Sequence, residues 1–321
     1  MSAIARLTAI RAANELALLL NGSVGGHVHS VFESAMNIQV GDELISLLAA
    51  GRSLYPRSIL LAETVSFSGI GFTADSVAHI ESRTIRIGGQ VAVDVREAEF
   101  VSLLLRPCNS VIDSAAYEAR LAVLADAISQ AEGMTEGLAP VLCHLFCGIP
   151  FQAAHNVWSG FLVERISRLY GVLCRRDIYA CLEMGRSIAG CGPGLTPSAD
   201  DFLLGIFAAL HGAVAAGKLD REVADGMCKN LSEGAIPQTN MISASFLKSG
   251  AQGRFGEKTL CLISGFFALD SQDADLMELA VQVCGSGATS GVDTLAGIWF
   301  GLAACARIDA KNMGYKIQNE V

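Results

Sequence analysis

The run Gly190-Cys191-Gly192-Pro193-Gly194-Leu195-Thr196-Pro197-Ser198-Ala199-Asp200-Asp201-Phe202-Leu203-Leu204-Gly205-Ile206 decides how the second half of the chain folds. Its glycines and prolines make a turn, and the apolar positions after Asp201 fall at helical spacing, so a glycine-rich loop opens onto a helix. Glycines at alternate positions let backbone amides approach a ligand with no Cβ in the way. Thr196 or Ser198 serves as the cap, and either choice leaves free N–H groups in the first turn, where a phosphate or carboxylate is favoured. The same letters have a purely structural reading. Ser198-Ala199-Asp200-Asp201 carries the Ser-x-x-acid spacing of a capping box.

A second stretch, Gly285-Ser286-Gly287-Ala288-Thr289-Ser290-Gly291-Val292-Asp293-Thr294-Leu295-Ala296-Gly297-Ile298, repeats the design. Aligned without gaps, Ser198 matches Ser290, Asp201 matches Asp293, and Gly205-Ile206 matches Gly297-Ile298. A glycine inside a helix costs about 1 kcal/mol relative to alanine. Glycines at matched places therefore predict that the two helices pack at Gly205 and Gly297. That packing brings Gly192, Gly194, Thr196 and Ser198 of one loop together with Gly287, Thr289 and Ser290 of the other in a composite pocket.

The motifs Gly-Pro-Gly-Leu-Thr-Pro-Ser-x-Asp-Asp-x-Leu-x-Gly, from Gly192, and Thr-Ser-Gly-x-Asp-Thr-Leu-x-Gly-x-Trp-x-Gly, from Thr289, resemble those of a bacterial family. That family includes the third subunit of the oxamate carbamoyltransferase complex of allantoin degradation. A further block, Gln238 to Leu247 followed by Ala251-Gln252-Gly253-Arg254-Phe255, is similar to the family's middle motif. The resemblance implies a hetero-oligomer with other transferase subunits (or a homo-oligomer when alone). It also implies a substrate of the carbamoyl phosphate, oxamate or oxalurate class, and a place in purine catabolism.

Composition narrows the partners. Hydrophobic residues make up 51% of the chain and charged ones 17%, which implies a large core and room for a buried interface. A net charge of −9 without a lysine- or arginine-rich run argues against nucleic acid. Ten cysteines occur without a Cys-x-x-Cys pair, as expected of reduced thiols in a cytoplasmic protein. Cys143-His144 and Cys147 come nearest to metal spacing but lack a second ligand pair. The longest charge-free run, between Glu136 and Glu164, contains Pro140, His144, Pro150, Gln152, His155 and Asn156 and reads as two core segments rather than a membrane span. The short apolar N-terminal stretch has no clear cleavage site, so no signal peptide is expected.

The expected class is α+β: an N-terminal antiparallel β barrel or sandwich followed by a mainly α-helical domain. Residues 1–21 read as an N-terminal helix over Ala3 to Leu20, residues 22–108 as the β-rich domain, and residues 109–321 as the helical domain carrying both loops. The boundary is expected at Arg106 to Ser110. Thr84-Ile85-Arg86-Ile87, Gly88-Gly89 and Gln90 to Val95 predict a tight hairpin, and Phe67 to Phe72 a kinked strand. Helices are expected at Val111–Glu132, Val157–Leu173, Asp201–Ala216, Met241–Gly250 and Thr294–Ile308, among others. A polar, frayed tail follows Asn312.

The candidate chemistry centres on Asp200, Asp201 and Asp293. A carboxylate at a helix N-terminus favours the helix yet repels a bound phosphate. One acid facing solvent, a Mg²⁺ bridge, or an acid accepting from a substrate amide would each resolve that conflict. On the last reading, loop amides with Thr196, Ser198, Thr289 and Ser290 bind the anionic end and stabilise charge on the carbamoyl oxygen. Asp201 or Asp293 then orients the attacking amide and takes its proton. Thr239 and Ser243, four apart on one helical face, add hydroxyls. No metal site is fixed, and Mg²⁺ is the one cofactor the acids suggest. His27 and His29 share a strand face but lack a third ligand. Trp299 and Phe300 read as core, and Lys248 and Arg254 as solvated. The Ser-Thr-Arg-Thr phosphate loop of ordinary carbamoyltransferases is missing, Ser82-Arg83-Thr84 being a poor echo. Two alternatives stand beside the transferase: a non-catalytic ligand-binding or scaffold subunit, and a Mg-dependent carboxylate ligase or hydrolase.

Overall fold

The computed structural model describes residues 5–108, 112–132, 134–147, 157–269 and 272–309. It divides into two compact units, Met1–Leu104 with Phe255–Glu257, and Leu105–Arg254 with Lys258–Val321. The division falls just ahead of the expected boundary at Arg106 to Ser110, of which Asn109 and Ser110 lie outside the described residues.

The first unit is a closed barrel. Its strands are β1 (Ala5–Ala13), β2 (Ser23–Val31), β3 (Ala35–Val40), β4 (Glu43–Leu48), β5 (Ser58–Leu61), β6 (Val77–Glu81), β7 (Thr84–Ile87), β8 (Val91–Asp94) and β9 (Glu99–Val101). They run in the order β5-β4-β3-β2-β6-β7-β8-β1, and β1 pairs back onto β5, so eight strands close and β9 lies alongside the end of β1. Alternation drives this, sending Met36, Ile38, Ile80, Ile85, Ile87, Val91 and Val93 inward. The predicted hairpin is present: Gly88 and Gly89 have φ of 56° and 67°, and the Gln90 N–H donates to the Ile87 carbonyl. Most neighbours are antiparallel, but β1–β8, β1–β9 and β4–β5 are parallel, which the expectation of antiparallel strands did not include.

Two sequence expectations fail here. The helix read over Ala3 to Leu20 is strand β1, with helix confined to a short 3₁₀ turn and α1 (Ala17–Asn21). Alanine and leucine favour helix intrinsically, but Leu7, Ala9 and Ala12 alternate into the core and β1 pairs with three strands, so tertiary pairing overrides propensity. Phe67 to Phe72 holds a 3₁₀ turn (Ser68–Ile70) closed by Gly71 at φ 83°, rather than a kinked strand.

The second unit holds eleven α-helices among the described residues: α2 (Ser114–Gln130), α3 (Ala139–Cys147), α4 (Val157–Gly160), α5 (Val163–Arg175), α6 (Ile178–Ile188), α7 (Ser198–Ala215), α8 (Arg221–Ala235), α9 (Met241–Gly250), α10 (Glu257–Phe267), α11 (Asp273–Cys284) and α12 (Ser290–Asp309). The single helix expected over Val157 to Leu173 is broken into α4 and α5. The charge-free run yields α3 and α4, while Pro150, Gln152, His155, Asn156 and the tail after Asn312 lie outside the described residues. By length and composition α7 is apolar enough to cross a membrane, yet 83% of that window is buried inside the unit, as in a core helix.

The centre of the unit is the contact of α7 with α12. A Cβ built on Gly205 would run into the Thr294 carbonyl oxygen, and one on Gly297 into the Phe202 carbonyl oxygen. Phe202 aligns with Thr294 as Gly205 does with Gly297, so matched residues meet across a local two-fold and the predicted packing is present. The same geometry recurs unannounced between α6 and α8, where Gly185 meets the Leu231 carbonyl and Gly234 that of Leu182. Phe300 is fully buried, 5.0 Å from the Phe202 ring, and belongs to the core, while Trp299 is only half-buried and its indole N–H donates to the Leu121 carbonyl.

Replacing Gly297 with alanine forces these two helices apart. We expect Gly297→Ala to lose about 1–3 kcal/mol of stability, the usual cost of overpacking, in denaturant melts. Gly285→Ala, whose Cβ would meet only ordinary contacts at 3.7 Å and beyond, should be close to neutral.

Candidate functional site

Helix α7 begins at Ser198, immediately after Pro197, and Pro197 offers no side-chain cap. Ser198 is therefore free to point elsewhere, and the capping box suggested by its spacing does not form. The pairs are crossed instead. The Asp201 carboxyl lies beside the hydroxyls of Ser290 and Thr196, while Asp293, on α12, lies beside the hydroxyl of Ser198. Thr196 Oγ1 and Ser290 Oγ share a hydrogen bond of 2.8 Å that joins the two loops. Each acid thus faces the serine of the other helix. Asp293 Oδ1 also accepts the Leu138 N–H at 2.7 Å.

Asp200 turns the other way. Its Oδ1 accepts the Gly190 N–H at 2.8 Å, its Oδ2 accepts the Thr239 hydroxyl, and Ser243 acts on it too. Asn240 caps α9 through its Oδ1 and donates from Nδ2 to the Leu195 carbonyl at 2.8 Å. The middle block therefore ties down both ends of the glycine loop. Thr239 precedes α9 rather than sharing a helical face with Ser243, but both reach the same acid. Gly192 lies against Ser198 with φ 117°, Gly194 sits at the exposed loop tip, Gly287 has φ 87°, and the Thr289 carbonyl accepts the Asp293 N–H at the start of α12. Two contributors escaped the sequence reading. Asn240 stands directly before a helical run, an N-cap signal that was available. The Leu138 amide, 155 residues from Asp293, left none.

Residues 188–302, which hold both loops and the middle block, match the family model described as oxamate carbamoyltransferase subunit AllH, and residues 8–100 match the AllH family N-terminal domain. The chain belongs to the AllH family. The name is that of a subunit, and so of a component of a multi-subunit transferase. No curated protein and no solved structure matches the chain.

In this AllH-family chain all three acids are buried, at 2% exposure for Asp200, 7% for Asp201 and none for Asp293. Burial raises each pKa: Asp293 to about 6, Asp200 upward, and Asp201 well above the ordinary carboxyl value, with the nearby charges of Asp293 and Asp200 adding to the last. The neighbouring hydroxyls and amides act against the shift, but among the described residues no cation does. Ser198 Oγ, Ser243 Oγ, Asp201 Oδ2 and Asp293 Oδ2 are buried without a hydrogen-bond partner. Ser198 is near enough to influence Asp293 but not in bonding geometry. Each orphaned group costs about 1–3 kcal/mol, and such groups in a native fold mark functional positions.

The array can donate from hydroxyls and accept at two free carboxyl oxygens, while the first-turn amides of Ala199, Asp200 and Asp201 already donate to the Cys191 and Pro197 carbonyls, against the expectation of free N–H groups there. Among the described residues no group of three or more His, Cys, Asp or Glu side chains is arranged to hold a metal. Asp200 and Asp201 diverge to different partners, and His29 Nδ1 lies 3.1 Å from Ser30 Oγ. An open depression of about 510 Å³, lined by residues including Arg176, Lys218 and Arg221, adjoins the far end of α7 and shares no residue with the paired loops.

Folding raises the Asp293 pKa, so the native state holds that proton more tightly than the unfolded chain. Stability must then fall as pH rises from about 4 to about 6. Asp293→Asn keeps the acceptor for Leu138 and removes the penalty, which is worth up to about 3 kcal/mol. Melting temperatures across pH 4–7.5 should show the variant gaining on the wild type between about pH 4 and 6 and keeping that gain above pH 6. Parallel profiles would contradict this.

Proposed function

We propose that this chain is a working subunit of an oxamate carbamoyltransferase, and that the paired helix N-termini bind its small anionic amide substrate. One observation carries the reading: the orphaned oxygens of Asp201 and Asp293 stand among hydroxyl and amide donors. An array that only capped its helices would satisfy these atoms. Oxamate and carbamoyl phosphate each combine an amide with an anionic group and offer complementary donors and acceptors.

In the reaction the oxamate nitrogen attacks the carbamoyl carbon, a C–N bond forms, and the C–O bond to phosphate breaks. The amide proton passes to a carboxylate. Asp201 and Asp293 lie close enough for the charge of one to raise the pKa of the other. Asp293, at about 6, is the ionised partner and serves as base. Asp201, whose pKa burial raises well above the ordinary carboxyl value, supports the oxyanion with Thr196, Ser198, Thr289 and Ser290. Asp200 holds the loop. The nine unbridged cysteines among the described residues suit a reducing cytoplasm, and the other transferase subunits are the expected partners.

Thermal-shift titration of the full chain with oxamate, oxalurate, carbamoyl phosphate and phosphate tests the binding. Selective stabilisation by the substrate class should vanish in a folded Ser198→Ala/Ser290→Ala variant. In the assembled enzyme Asp293→Asn should lower kcat by about 10²–10⁴-fold. Wild-type turnover in that variant would remove the base assignment.

A further inference from the structure

Resting on that reading, we propose that Lys258 anchors the anionic end of the ligand where the second loop enters the paired-loop site. Lys258 is the second residue of α10, and its Nζ donates to Ser286 Oγ at 3.3 Å. The Ser286 hydroxyl donates in turn to the Gln282 carbonyl at 3.5 Å, which leaves its oxygen to accept from the ammonium. Contacts continue from there into the site. Gly287 follows Ser286 with φ 87°, and a Cβ built on it would lie 3.6 Å from Ser290 Oγ. Ser290 Oγ shares the 2.8 Å hydrogen bond with Thr196 Oγ1. The ammonium therefore touches the second loop one residue away from the glycine that packs on a site hydroxyl.

The position is not one that the helix itself favours. A cation in the first turn opposes the helix dipole, and the acid beside it, Glu257, is engaged with Arg11 and the Leu54 N–H. Lys258 makes no ion pair among the described residues, in a chain where 32 acids face 23 lysines and arginines. Its contact with a neutral hydroxyl at 3.3 Å is weak and can be exchanged for a carboxylate or phosphate oxygen. The flexible four-carbon stem lets the ammonium make that exchange without moving the backbone, and two of its three N–H groups remain for the ligand.

A ligand carrying an amide at one end and an anion at the other fits this arrangement in one direction. The amide points inward to Asp201 and Asp293, and the carboxylate or phosphate toward Lys258 and Ser286. A compact point charge serves either anion. The ordinary alternative is a surface lysine resting on a neighbouring loop and otherwise solvated.

Calorimetric titration of the full chain with oxamate, its uncharged diamide oxamide, and inorganic phosphate tests the assignment. The wild type should prefer oxamate to oxamide. Lys258→Met should weaken oxamate by about 10–100-fold, the usual worth of a hydrogen bond to a charged group, and leave oxamide unchanged. Lys258→Arg keeps the charge and should keep the preference. Loss of phosphate binding alone in Lys258→Met would still support the anchor and assign it to the phosphoryl end. If Lys258→Met weakens oxamate and oxamide equally, the lysine acts by shaping the loop and the anchor is overturned. If Lys258→Met binds oxamate and phosphate as the wild type does, while Ser198→Ala/Ser290→Ala loses them, the anchor is overturned and the paired-loop site stands. If no probe binds the wild type, both fall.

Discussion

The helical unit depends on the backbone contact of α7 with α12 at Gly205 and Gly297. The carbonyls of Phe202 and Thr294 occupy the places where side chains would begin, so only glycine serves at either position. Thr196 meets Ser290 at one end of the pair, and Gly301 meets Ala209 farther along, so the helices run side by side in the same direction. Two positive helix ends are thereby placed together in the interior. Carboxyls in the first turns offset that accumulation, and Asp201 and Asp293 occupy those turns on opposite helices.

The same constraint creates the conflict from which function arises. A carboxyl that answers a helix end should be ionised, but burial beside a second carboxyl resists ionisation. The unit supplies hydroxyls, one from each loop to the opposite acid, and no lysine, arginine or histidine among the described residues beside them. It leaves two carboxyl oxygens unbonded. Stability is given up locally, a pattern common where a site is preorganised for a ligand. Asp200, adjacent in sequence, shows the contrast. With its partners found in Gly190 and Thr239, it fastens the loop that frames the pocket.

Much of this was legible because close helix contact leaves a mark in the letters. Glycine in a helix is unfavourable alone, so its repetition beside matching Ser and Asp residues signalled the α7–α12 contact and the meeting of the loops. The crossed pairing was not legible. Ser-x-x-Asp has the same spacing whether the serine serves its own helix or its neighbour, and only Pro197 at the cap decides. The Leu138 amide was hidden because a backbone group has no residue signature. The barrel was read from alternation and the Gly88-Gly89 turn. Its first strand was missed because alanine-rich segments carry helical propensity, and closure of the barrel outweighs it. The parallel pairings at β1 and β4 follow from that closure, which local sequence does not encode.

A crystal structure of the full chain grown with oxamate would bear most directly on the paired loops as the binding site. Ligand density should lie between Ser198 and Ser290, with hydrogen bonds of about 2.7–3.2 Å to their hydroxyls and to the free oxygens of Asp201 and Asp293. Oxamate bound elsewhere, for instance in the depression beside Arg176 and Lys218, with the Thr196–Ser290 bond intact and the paired loops empty, would contradict it.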